Sequence, residues 1–173
     1  MKILSMDLAS QTGLAFGSAS TAPVTWSVDL GRGDKQKFAR AMRMTKAAIE
    51  KYQPDLIAIE APVGGPKTSH FLVGLLACVE GMAEWMNVPT EKYHIATVRK
   101  HFLGYAPNLR DFAGSRSAQQ KQVKALVVNR CRALGWKVDT HDAADAAAIW
   151  DYAMSQRRAD HAMSTVGGLF RDT

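Results

Sequence analysis

Two short apolar runs in this sequence each end on a carboxylate, and no other feature restricts the fold as much. The first is Lys2-Ile3-Leu4-Ser5-Met6-Asp7. The second, Leu56-Ile57-Ala58-Ile59-Glu60, is almost continuously apolar, as a central strand covered on both faces would be. A charge at the end of a buried strand is costly unless it is paired or bound to a cation. If the two strands are parallel neighbours, both carboxylates emerge at the same end of the sheet.

The segments between and after these runs complete an alternating pattern. Residues 12–17 and 24–30 read as strands, with Gly13, Gly17 and residues 18–23 as turn punctuation, which predicts a three-stranded antiparallel meander. Residues 35–52 place Phe38, Ala41, Met42, Thr45, Ile49 and Tyr52 on one helical face with lysines and arginines opposite, and Pro54 stops the pattern. A helix between two strands predicts a right-handed parallel crossover. Residues 69–86 form a second helix, apolar on most of its circumference. Its Leu72, Val73, Leu75, Leu76, Val79, Met82 and Trp85 either bury within the monomer or supply a homodimer seam.

Further along, a short strand is expected over 93–95, a helical turn over 97–103, and an exposed, mobile loop over 104–117. A basic helix over 118–134 ends at Gly135, residues 136–138 read as a further short strand, and a last helix runs over 142–157. The expectation is an α/β domain spanning 1–158, built on a five-stranded mixed sheet (an antiparallel meander plus parallel strands) flanked by helices. A weakly patterned tail, 159–173, follows.

Composition agrees with one such domain: 173 residues that are 47% hydrophobic can bury one sizeable core. No apolar stretch reaches the ~18 residues of a membrane span, and Asp7 arrives too early for a signal peptide, so a soluble intracellular protein is expected. Cys78 and Cys131 sit in helical apolar patterns and read as buried free thiols, not as a zinc site or disulfide. The net charge of +6 is unevenly placed. Residues 92–137 hold ten lysines and arginines against the single acid Asp111, an excess of nine, while the rest of the chain is net −3. A local excess of this size suits a polyanion, because each phosphate neutralised releases condensed counterions.

Asp142 and Asp145 are spaced i, i+3 at a helix start and share one face. Taken alone, the pair reads as compensation of the helix macrodipole. Joined by Asp7 and Glu60, it reads differently. Converging carboxylates repel one another unless divalent cations neutralise them, and hard oxygen donors suit Mg²⁺ or Mn²⁺. Two such ions, ~4 Å apart, would activate a water and stabilise the leaving oxygen of a phosphodiester.

These residues also carry a resemblance. Met6-Asp7-Leu8-Ala9-Ser10-Gln11-Thr12-Gly13 resembles the first-strand motif, D-P-G-x-x-x-T-G, of RuvC-type Holliday junction resolvases. Ile57-Ala58-Ile59-Glu60 matches their second motif, and His141-Asp142-Ala143-Ala144-Asp145-Ala146 their helix motif, D-A-A-D-A. Val98-Arg99-Lys100, Leu103-Gly104 and Lys121-Gln122-Val123 resemble the family's basic helix and loop. The likeness covers roughly residues 1–158. It implies a ribonuclease H-like fold, a homodimer, paired nicks across a four-way DNA junction, and the cytoplasm of a bacterial or phage-infected cell. On that pattern Asp7, Glu60, Asp142 and Asp145 ligate two Mg²⁺ ions per active site, with Mn²⁺ as the substitute. Lys121 is on that pattern the best candidate for stabilising transition-state charge, and Arg99, Lys100, Arg110, Arg116 and Lys124, all within the basic stretch 92–137, are expected to contact DNA.

The sequence also departs from the family. Leu8-Ala9-Ser10 replaces Pro-Gly, Phe71 is the nearest aromatic after Glu60, and the loop over 105–120 is longer than the family's compact one, so branched substrates beyond four-way junctions come into range. His141 reads as structural before it reads as a base. Gly64-Gly65-Pro66-Lys67-Thr68 lacks the first glycine of a phosphate loop and reads as a turn on the site's rim. Asp7 with Thr12-Gly13 also looks like the first phosphate motif of actin-like ATPases, but those need a second nucleotide-binding half. A non-cleaving branched-DNA-binding module is the other alternative, and four intact acids argue against it.

Overall fold

The apolar runs and turns of the N-terminal part form three antiparallel strands, β1 (Lys2–Asp7), β2 (Gln11–Ser18) and β3 (Val24–Asp29), in a computed structural model that describes residues 1–19, 21–62 and 69–157. Helix α1 (Asp34–Tyr52) leads to β4 (Leu56–Glu60), and α2 (His70–Trp85) leads to β5 (Thr90–Tyr93). Helices α3 (Ile95–Leu103), α4 (Arg116–Ala133) and α5 (His141–Ser155) follow, with a single 3-10 turn at Leu109–Asp111. Among the described residues five strands make one sheet in the order β3-β2-β1-β4-β5, antiparallel from β3 to β1 and parallel from β1 to β5. This is the α/β mixed sheet that the pattern of runs predicted. The rim segment 63–68 and the C-terminal tail lie outside the described residues.

Strand alternation divides the core in two. Leu4, Met6, Leu14, Ile57 and Ile59 pack against α1 and α2 on one face. Ile3, Ala15, Leu56 and Ala58 pack against α3, α4 and α5 on the other. Alanines at 143, 144, 146, 147, 148 and 153 keep α5 thin, so it lies centrally against β1, β2 and β3 with nearly every residue buried. The Ser5 hydroxyl donates to the Ala146 carbonyl at 2.6 Å, tying that helix to the middle strand.

Local chemistry sets the helix ends. Ser69, Ser115 and Thr140 each accept a backbone N–H at the start of α2, α4 and α5, contacts that stabilise a helix by about 1 kcal/mol each. Gly104 and Gly135 take the left-handed conformation that ends α3 and α4 (φ 80° and 75°), a geometry open to glycine at no steric cost.

Three expectations are corrected. The fifth strand spans Thr90–Tyr93, not 93–95, because His94 caps α3 and Ile95 opens it. Residues 136–138 form no strand: the Trp136 N–H bonds back to the Cys131 carbonyl, and the Lys137 carbonyl accepts from the Thr25 hydroxyl, so these two backbone groups are satisfied outside a ladder. Met42 stands 39% exposed, while the buried face of α1 is Ala41, Thr45, Ala48 and Ile49. Both cysteines are free, Cys131 buried and Cys78 half-buried. Among the described residues no helix is long and apolar enough to cross a membrane.

Candidate active site

The parallel pairing of β1 with β4 runs through Met6 opposite Ile59, which brings the next residues, Asp7 and Glu60, to the same end of the sheet. Alternation directs both toward the α5 side, since Ile3 and Ser5 in β1 and Leu56 and Ala58 in β4 face that way. Asp7 is 7% exposed and shares a side-chain hydrogen bond with Glu60. Burial, that hydrogen bond and the charges of Glu60 and Asp145 push its pKa well above the usual carboxylate value, with Lys124 opposing.

The second pair of acids arrives through a glycine. Gly13 faces Asp7 in the β1–β2 ladder. A Cβ built on it would lie 1.9 Å from the Asp142 carbonyl oxygen and 2.8 Å from the Ala143 nitrogen. The first turn of α5 therefore rests directly on β2 beside Asp7, and Thr140 caps it with a 3.0 Å bond from the Ala143 N–H. Asp142 projects from this turn, and Asp145, 1% exposed, lies one turn further.

Two cations hold these acids. Lys124 Nζ donates to Asp142 Oδ1 at 2.9 Å and lies 3.8 Å from Asp145 Oδ2. Burial alone would lower the Lys124 pKa, but the hydrogen bond to Asp142 and the charges of Asp145, Asp142 and Asp7 outweigh it and hold the ammonium above its ordinary value. Arg99 grips Asp145 with Nη2 at 2.9 and 3.0 Å from the two carboxylate oxygens and Nε at 3.2 Å. Among the described residues no three of His, Cys, Asp or Glu form a group that could hold a metal ion as the side chains stand. The donor set still suits a hard divalent ion: Asp7 and Glu60 are already in contact, and the other two acids sit close enough to influence the same lysine.

The remaining expected residues spread outward from this centre. Lys121, one turn before Lys124, is exposed, as are Lys100, Arg110, Arg116 and His141. A cleft of about 210 Å³ joins Arg99 to Pro107 and Leu109. Those two residues also border a shallow cleft of about 620 Å³ edged by Arg110 and Arg116. The lysine at the carboxylates is thus Lys124. The sequence did not mark it, because Lys121 is likewise followed by apolar Ala125 and Val128 at i+4 and i+7; packing decides, with Val123, Val127, Val128 and Cys131 buried, Lys124 half-buried beside them and Lys121 exposed. Phe71 is spent on packing, stacked on Phe38 with centroids 5.9 Å apart and covered by Lys37.

Neither a protein-family model nor a curated protein matches the sequence. Solved structures do resemble it. RuvC of Thermus thermophilus is 19% identical, with 91% of this chain and 96% of that one covered at a TM-score of 0.65. The same organism's RuvC in complex with a Holliday junction substrate is 18% identical over 95% and 97%, at a TM-score of 0.66. The yeast mitochondrial Holliday junction resolvase Ydc2 is 15% identical over 92% and 82%, at 0.53. With its sheet order, central alanine-rich helix and flanking layers, the chain has the ribonuclease H-like fold of the RuvC-type resolvases.

Proposed function

We propose that this protein is a Mg²⁺-dependent endonuclease that cuts branched DNA, four-way junctions foremost, with Mn²⁺ able to substitute. The observation that carries this reading is the meeting of Asp7 and Glu60 at the ends of adjacent parallel strands, with the Asp142 turn of α5 seated on Gly13 beside them. The likeness to a resolvase solved on its junction substrate supports the same substrate class.

In this reading Asp7, Glu60, Asp142 and Asp145 hold two divalent ions, which supply neutralisation of the scissile phosphate and activation of the attacking water. The protein's own groups do the rest. Lys124, its charge secured by its surroundings, donates to a phosphate oxygen as negative charge builds there. Arg99 exchanges Asp145 for phosphate, a planar fork suited to either partner. Arg110 and Arg116 along the adjoining cleft, with Lys100 and Lys121, hold the backbone of the DNA arms.

Paired cuts need two sites, and α2 offers a surface for pairing. Val73 and Trp85 are 42% and 69% exposed on a helix face where Ala77 and Gly81 lie between them, so we read this face as the homodimer seam. Trp85→Glu is expected to yield monomers by sedimentation.

The decisive experiment incubates the protein with a synthetic four-way junction, a flap and a linear duplex in Mg²⁺, beside Asp7→Asn. Metal-dependent cutting of the junction, absent in the variant, is expected. Binding without cleavage of any substrate would sink the nuclease reading; equal cutting of the linear duplex would sink the junction preference.

A further inference from the structure

A groove between α1 and the edge strand β3 stands apart from the carboxylate site. It encloses about 410 Å³ and combines two kinds of lining. Trp26, Met44 and Tyr52 form an apolar, partly aromatic floor, and Arg40, Arg43 and Lys51 border it; among the described residues no acid lines the groove. The rings are held before any ligand arrives. Tyr52 stacks on Phe16 with centroids 4.6 Å apart, and Trp26 leans on Tyr52 at 5.3 Å. Lys51 Nζ lies 4.9 Å from the Tyr52 ring centroid.

Cations continue along the same helix beyond the groove. Lys37, Arg40, Met44 and Lys51 fall at i, i+3, i+7 and i+14 on one side of α1. Lys37 Nζ donates at 2.8 Å to the hydroxyl of Ser10, three residues beyond Asp7. From Lys37 to Lys51 the helix rises about 21 Å, the length of about six stacked nucleotide steps at ~3.4 Å each.

We propose that this groove is a subsite for an unpaired nucleotide of a nucleic-acid strand, its base on the Trp26–Tyr52 floor and its phosphates on Arg40, Arg43 and Lys51. A nucleotide strand repeats a flat apolar face and a negative charge along its length, and α1 presents cations in series beside fixed rings. An acidic peptide would satisfy the charges but has no use for two preset rings at this spacing. The proposal stands on the groove's own chemistry and shares with the nuclease reading only the class of ligand.

The test is binding of a short fluorescent oligothymidylate in EDTA, where cleavage plays no part. Arg40→Gln with Arg43→Gln, both at exposed positions, is expected to weaken binding about tenfold, and Trp26→Ala by a similar factor. Trp26→Phe keeps a ring and should retain most of the affinity, while the tryptophan quenching seen on oligonucleotide addition shrinks. Affinities within about twofold of wild type for both the arginine pair and Trp26→Ala overturn the subsite, as does a groove that holds a labelled acidic peptide and ignores the oligonucleotide. The two readings fail separately. Oligonucleotide binding that depends on the groove, without junction cleavage in Mg²⁺, removes only the nuclease; cleavage with binding indifferent to these variants removes only the subsite.

Discussion

The carbonyl oxygen of Asp142 lies 1.9 Å from where Gly13 would carry a Cβ, so the backbone of α5 occupies the space that any other residue would need. Both sides of that contact are backbone, and no side chain can swing away to relieve it. Gly13→Ala must therefore lift the start of α5 off β2, carrying Asp142 and Asp145 from Asp7. A loss of about 2–3 kcal/mol is expected, roughly 5–10 °C in Tm by thermal denaturation, with cleavage falling further than stability because the acids no longer meet.

Asp7 makes the metal-free fold sensitive to pH. Burial and Glu60 raise its pKa in the fold above the ordinary 3.8, so over that window the folded protein binds more protons than the unfolded chain. Its contribution is then most favourable below the ordinary value and is lost as pH rises through the raised one. In EDTA at neutral pH, Asp7→Asn is expected to melt about 2–4 °C above wild type, a gain of roughly 1 kcal/mol. Added Mg²⁺ or Mn²⁺ should raise the Tm of the wild type more than that of the variant. A variant that melts lower in EDTA contradicts this account.

If Asp145 is a metal ligand as proposed, Arg99 is the ion's competitor for it, since it already holds both carboxylate oxygens. Removing it leaves a carboxylate with 2% side-chain exposure whose remaining cation among the described residues is Lys124, at 3.8 Å. Arg99→Met should destabilise the metal-free protein by about 2–4 kcal/mol. In titration calorimetry without DNA, the variant should bind Mn²⁺ more tightly, because the ion no longer displaces a bidentate partner. Its affinity for DNA should fall. Unchanged Mn²⁺ affinity would show that Arg99 does not hold the acid back.

Lys124 and Lys121 are separable by kinetics. Lys124→Ala should lower the cleavage rate of bound junction by about 10²–10³-fold, the loss typical of a donor aimed at developing charge. Lys121→Ala should cost less than about tenfold, appearing mainly as weaker binding and a salt dependence reduced by about one charge. The reverse ranking would return the transition-state role to Lys121.

Local signals determined much of this protein. Apolar runs ending on Asp7 and Glu60, glycines and Pro54 at the element ends, and the i, i+3 spacing of Asp142 and Asp145 are short-range features, and β1 to β4, α1, α2 and α5 were legible from them. Where backbone groups are satisfied by something other than a ladder, as at Trp136 and Lys137, apolar residues alone misled. The site's inner arrangement belongs to the tertiary structure. Helix α5 is buried almost all round and carries no strong amphipathic period, so its sequence does not say which strand it meets; Gly13, 129 residues before Asp142, decides that by leaving room. Arg99 reaches Asp145 across 46 residues and Lys124 reaches Asp142 across 18, pairings set by how α3 and α4 pack on α5. Lysines one turn apart look alike in a sequence, and only the packed face of α4 turns Lys124 inward while leaving Lys121 to solvent.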